Sequence, residues 1–201
     1  MYATIGERMR ELKIGLVGAV LLAVALARPA VAQLRFSLGG GVTVPVGTFG
    51  DVASTGWHGG AAIGFQPADF PIGFQVDGTY HRFGFEAAGL DADWQMIQGT
   101  ANAVFMFNRS EEKKFHPYLI AGVGAYNVKA VGNDAEGIDS DETDFGVNGG
   151  LGFDFDLGNL AAFIEGRYNA VFGGTVDPET LDDATASFVP ITIGIRLGGG
   201  S

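Results

Sequence analysis

Three histidines, His58, His81 and His116, are the residues best suited to proton transfer near neutrality in this chain of 201 residues, and it has no cysteine to supply a thiolate. Hydrolysis needs a nucleophile or a water beside such a base. His58 or His81 acting on Ser54, Thr55 or Thr79 is the pairing that adjacency in sequence allows, whereas His116 adjoins a short turn at the other end of its segment. None of the surrounding strings forms a catalytic motif, and hydrogen bonding is the competing role for the same rings. The expectation is therefore no enzymatic activity, no catalytic residue, no cofactor and no metal.

A second chemistry lies in Arg35, Asp77, Asp154, Glu165, Arg167 and Arg196, isolated charges in otherwise apolar or glycine-rich stretches. Such groups are costly in lipid or in a dry core unless they pair. They are candidates for an interior network of charge-assisted hydrogen bonds. A third feature is a pair of acidic stretches, Asp134, Glu136, Asp139, Asp141 and Glu142, then Asp177, Glu179, Asp182 and Asp183. These carboxylates would hydrate a surface and repel anions, or bridge through Ca²⁺ or Mg²⁺ to an anionic glycolipid. Their spacing is not that of an EF-hand loop, so the expectation is a solvated interaction surface for an unknown extracellular ligand.

Those side chains need a scaffold. With 47% hydrophobic and 17% charged residues the chain should fold. Its net charge of −11 repels a phosphate backbone, which excludes nucleic acid as a partner. Residues 1–32 read as a signal peptide starting at Met1 or Met9. Arg8, Arg10 and Lys13 precede an apolar run over 14–27, and Ala30-Val31-Ala32 offers a cleavage site before Gln33. That run is shorter than the roughly 20 residues a membrane helix requires. Setting aside the four basic and two acidic residues of 1–32 leaves −13 on the rest.

Residues 33–201 alternate with period 2 over eight segments, 35–45, 55–66, 72–85, 94–108, 115–129, 144–155, 160–172 and 187–197. Most are longer than ordinary strands and suit a tilted strand crossing a bilayer. Short turns at 67–71, 109–114 and 156–159 alternate with longer loops at 46–54, 86–93, 130–143 and 173–186. The pattern predicts an all-β protein, an eight-stranded antiparallel transmembrane up-and-down β-barrel with short periplasmic turns and long outer loops. Val189, Ile191, Ile193, Ile195 and Leu197 would face lipid, and Asp77, Asp154, Glu165 and Arg167 the lumen. Glycines at Gly39, Gly41, Gly60, Gly64, Gly150 and Gly152 would make inner room for long side chains. Aromatic residues near strand ends, among them Trp57, Tyr80, Phe83, Tyr118, Tyr126 and Tyr168, suit the lipid headgroup zone or ordinary packing.

With its opening RFSLGGGVTVPVGTF at 35–49, HPYLIAGVGAYNV at 116–128, GVNGGLGFDFDL at 146–157 and closing FVPITIGIRLG at 188–198, the chain resembles the OmpA-like or opacity-protein-like small outer membrane β-barrels. The resemblance covers 33–201 and departs at the end, where family members usually close on an aromatic residue and this chain reads Arg196-Leu197-Gly198. It implies the Gram-negative cell outer membrane and a structural, envelope-integrity or surface-interaction role. The alternatives are a small ion-conducting pore and a lipid-modifying barrel enzyme. The partners it implies are outer membrane lipids, lipopolysaccharide, the barrel assembly machinery and periplasmic chaperones.

Overall fold

A computed structural model describes residues 33–51, 53–67, 70–84, 92–107, 113–132, 142–172 and 184–198. The expected signal peptide at 1–32 lies outside them. Eight strands form a single closed sheet: β1 Gln33–Val46, β2 Gly56–Gln66, β3 Ile72–Gly84, β4 Ala92–Met106, β5 Phe115–Gly132, β6 Glu142–Asp156, β7 Leu160–Phe172 and β8 Ala184–Leu197. Each strand pairs antiparallel with its neighbours in sequence, and β1 pairs with β8 from Phe36↔Leu197 to Val46↔Ser187 to complete the barrel. Closure leaves no free edge, the condition for a sheet to survive in hydrocarbon.

The outer ends of several strands run past the expected bounds. β4 begins at Ala92, β5 continues to Gly132, β6 begins at Glu142 and β8 at Ala184, whereas β2 begins one residue late at Gly56. Apolar alternation fades where the wall leaves the apolar zone, but the ladder needs only a partner backbone. Pairs such as Asp93↔Val131 and Ala92↔Gly132 therefore extend it. The first long loop also holds structure, a 3-10 turn at Gly47–Asp51.

The two faces carry opposite chemistry. On β3, Phe74 and Val76 are 60% and 63% exposed while Asp77 between the inward positions Gln75 and Thr79 is 7% exposed. β8 repeats this, with Ile193 64% exposed and Arg196 buried. A soluble barrel would put the isoleucines inside. Here the apolar face is the one left uncovered, as a lipid-embedded wall requires.

Glycine on the inner face makes space rather than flexibility. A Cβ on Gly152 would collide with the ring of Tyr118, one on Gly146 would lie 2.6 Å from the ring of Tyr126, and one on Gly194 would lie 2.6 Å from the ring of Phe163. Three large side chains can thus lie across a lumen that eight strands make narrow. Gly64 is not of this kind, since a Cβ there would meet only ordinary contacts. The aromatic residues divide likewise. Trp57 and Tyr80 meet outside in a tilted pair with ring centroids 5.5 Å apart, as a headgroup belt would place them, but Phe83, Tyr118 and Tyr126 point inward and are buried.

Replacing Ile193 by Arg at mid-strand should lower stability by about 2–4 kcal/mol. Urea unfolding in phosphatidylcholine vesicles measures it, and an unchanged midpoint would place this face of β8 away from lipid.

Candidate functional site

Because side chains alternate along each strand, Asp77 on β3, Asp154 on β6, Glu165 and Arg167 on β7, Arg196 on β8 and Arg35 on β1 all project into the lumen. The barrel brings these six into one connected set. Arg167 Nε donates to Glu165 Oε1 at 2.6 Å and its Nη1 reaches Asp77 at 3.1 Å. Arg196 Nη1 grips both oxygens of Asp154 at 2.5 and 2.6 Å, and Arg35 approaches Asp154 at 3.6 Å. The two groups are joined by Tyr118, whose hydroxyl donates to Glu165 Oε2 at 2.8 Å and accepts from Arg196 Nη2 at 2.8 Å.

Three guanidinium groups thus face three carboxylates, so the set is neutral. Neutrality matters because a buried, unpaired charge costs several kcal/mol. Neutral donors complete the shell of Asp77: Thr100 Oγ1 at 2.9 Å, Asn102 Nδ2 at 2.6 Å and Gln75 Nε2 at 3.3 Å. Arg196 also lies 4.7 Å from the centroid of Tyr118 and 4.5 Å from that of Phe163, a cation held between two rings. Val104, Met106, Tyr118 and Ile120 fill the β4–β5 side at this level. The arrangement binds strand to strand across the lumen, linking β3 with β7 and β6 with β8.

Toward the loops the lumen turns from charged to polar. Thr43 Oγ1 bridges the Nδ1 atoms of His58 at 2.9 Å and His81 at 3.0 Å, while His58 Nε2 meets Thr192 Oγ1 at 2.9 Å and His81 Nε2 meets Gln98 Oε1 at 3.2 Å. With the Gln98 oxygen as acceptor, His81 Nε2 carries the proton and His81 Nδ1 accepts from Thr43. Thr43 then accepts from His58 Nδ1, and Thr192 donates to His58 Nε2. Every ring nitrogen is committed, and none contacts Ser54, Thr55 or Thr79. The catalytic pairings that adjacency allowed are not formed. Both rings are buried inside the wall, away from acyl chains outside it.

Above the histidines the filling is apolar. Phe49, Ala53, Phe83, Met96, Tyr126, Val171 and Phe188 form one buried cluster. Phe83 meets Phe49 edge-on at 5.3 Å and Phe188 at 6.0 Å. Sequence parity identified the six charges. It missed Tyr118, which inward parity opposite Gly152 could have flagged, and Thr43 and Phe49, for which no local signal exists. Asp134, Glu136, Asp139, Asp141, Asp177, Glu179, Asp182 and Asp183 lie outside the described residues, and of Glu142 only the backbone opening β6 is described. Among the described residues no cluster of three or more metal-ligating acidic, cysteine or histidine side chains occurs.

The sequence pattern of the family described as "Outer membrane protein beta-barrel domain" matches residues 16–189. No curated protein sequence matches the chain. Among solved structures, Neisserial surface protein A (NspA) is 17% identical over 83% of this chain and 97% of its own, with a TM-score of 0.60, which shows a shared fold. OprG from Pseudomonas aeruginosa is 15% identical over 85% and 96%, with a TM-score of 0.48. The outer membrane enzyme PagL is 16% identical over 81% and 98%, with a TM-score of 0.46.

Arg196→Met would leave the Asp154 carboxylate without its two shortest bonds and the Tyr118 hydroxyl without a donor. The expected loss is about 3–5 kcal/mol of unfolding free energy in lipid vesicles. A loss below about 1 kcal/mol would show that water replaces the guanidinium at little cost.

Proposed function

The chain belongs to the outer membrane protein β-barrel domain family, and from that premise we propose that it is a non-enzymatic, closed barrel that stabilises the envelope and displays its acidic loops outward. It is a Gram-negative outer membrane protein, with apolar side chains along its outer wall. The observation that carries the proposal is the obstructed lumen. A neutral ion-pair network narrows one half and a buried aromatic cluster closes the other.

Within this reading residues 1–32 are the export signal and 33–201 the mature barrel. The periplasmic chaperones and the assembly machinery are its partners in biogenesis, and outer membrane lipid and lipopolysaccharide its partners once inserted. A closer kinship with OmpA-like or opacity-protein-like barrels is part of this proposal, and with it surface interaction through Asp134, Glu136, Asp139, Asp141, Glu142, Asp177, Glu179, Asp182 and Asp183. Lipid modification is disfavoured because the two histidines on β2 and β3 are sealed in the lumen. A small pore is the second reading, favoured by a polar cavity of about 50 Å³ beside the network.

Planar-bilayer recording of the refolded barrel, after heat-dependent gel migration has established folding, separates the two. Silence is expected. Reproducible conductance steps from the unaltered protein would overturn the closed reading.

A further inference from the structure

The polar cavity and the aromatic cluster have separate owners in the fold. The cavity of about 50 Å³ reaches from Ser37 and Arg196, near the turn end of β1 and β8, up to His58, His81 and Gln98. On its way it passes Asp77 and Arg167, so the ion pairs flank the space rather than fill it. A second cavity of about 20 Å³ shares Ser37, Gln75 and Arg196 with the first and continues to Arg35 and Gln66 at the turn end. The Arg35 side chain there keeps 24% of its surface exposed. Both spaces are lined in part by polar side chains, Gln75 and Arg196 among them, and are large enough for water. Arg196 Nε, buried and without a hydrogen-bond partner, lies on a residue that lines both.

The space stops at the loop end, beneath the aromatic cluster. Phe83, Met96, Tyr126 and Phe188 are strand residues that the ladder fixes in place. Phe49 is different, because it stands on the 3-10 turn Gly47–Asp51 of the first loop and folds back into the barrel mouth against Phe83. The turn is held by an Ala53 N–H to Phe49 carbonyl bond of 3.1 Å, and the chain after it by a Ser54 N–H to Gly84 carbonyl bond of 2.9 Å. None of the strand-ladder pairs of β1 involves a residue of Gly47–Asp51.

We propose that the Gly47–Asp51 turn is a plug, and that the barrel is a water-filled half-channel open to the periplasm that passes small ions once Phe49 leaves the outer mouth. The inference rests on the closed reading of the native barrel and says what keeps it closed: an aromatic side chain on a loop, not the ion pairs. The ions are those that fit a narrow, polar, electrically balanced lumen, namely small monovalent ions with their water.

The absence of cysteine gives a clean background for testing access. Ser37→Cys and, higher in the lumen, Thr192→Cys are placed singly in barrels inserted in one orientation in vesicles. A small, membrane-impermeant methanethiosulfonate reagent is then added at the turn side or the loop side. Both thiols should react from the turn side and stay at least ten-fold slower from the loop side. Adding Phe49→Ala should raise loop-side reaction at least ten-fold and give conductance steps, while Phe49→Leu should keep the mouth shut. Heat-dependent migration verifies folding of each variant. Thiols that resist modification from the turn side, or a loop-side rate that Phe49→Ala leaves unchanged, overturn the proposal. Conductance in the unaltered barrel would instead remove the closed reading beneath it.

Discussion

Closing eight strands into a cylinder creates an inner surface on which every charged group must find its opposite within one narrow lumen, with little room for solvent. The rest of the structure follows from that constraint. Apolar side chains go outside because lipid is there, and alternation then sends the remaining positions inward. Three guanidinium and three carboxylate groups are tolerable there because they balance and because Tyr118, Thr100 and Asn102 supply further hydrogen bonds. Glycines opposite Tyr118, Tyr126 and Phe163 provide the volume. In a soluble domain hydrophobic burial would hold the layers together. Here bonds across the lumen tie β3 to β7 and β6 to β8, adding to the ladder that joins neighbours.

The lumen is also graded along its axis. Arg35, Asp154 and Arg196 occupy the turn end, Asp77, Glu165 and Arg167 the middle, and the histidine pair with Thr43 the level above. An apolar cluster closes the loop end. Polarity falls toward the outside of the cell envelope, so water has a reason to enter from the periplasmic side and none to reach the other mouth. This makes the barrel a permeability seal whose weak point lies in a loop. It also separates the two halves of the proposed function, in which the lumen would provide closure and stability and the acidic loops contact with the environment.

Much of this was legible in the sequence. The eight strands could be read because β3, β6 and β8 alternate strictly, and the six lumen charges could be read from the same parity. Their pairing could not, because stagger around the barrel decides which side chains meet. Asp77 and Arg167 are 90 residues apart on strands that are not neighbours. The extra length of β4, β5, β6 and β8 was hidden because hydrogen-bond ladders do not require apolar residues. Thr43 reads as one more inward threonine, and only the approach of His58 and His81 makes it a bridge. Phe49 lies in a loop without periodicity, and its burial depends on the barrel mouth it enters.

Coupling of the lumen charges across the barrel is the interaction on which the rest depends. A double-mutant cycle on Asp77 and Arg167, with Asp77→Asn, Arg167→Met and the double variant unfolded reversibly in lipid vesicles, tests it most directly. A favourable coupling on the order of 1–3 kcal/mol is expected, with the double variant more stable than the summed single losses imply. Losses that simply add would mean that each group is solvated independently, and the neutral network would not be what holds the lumen together.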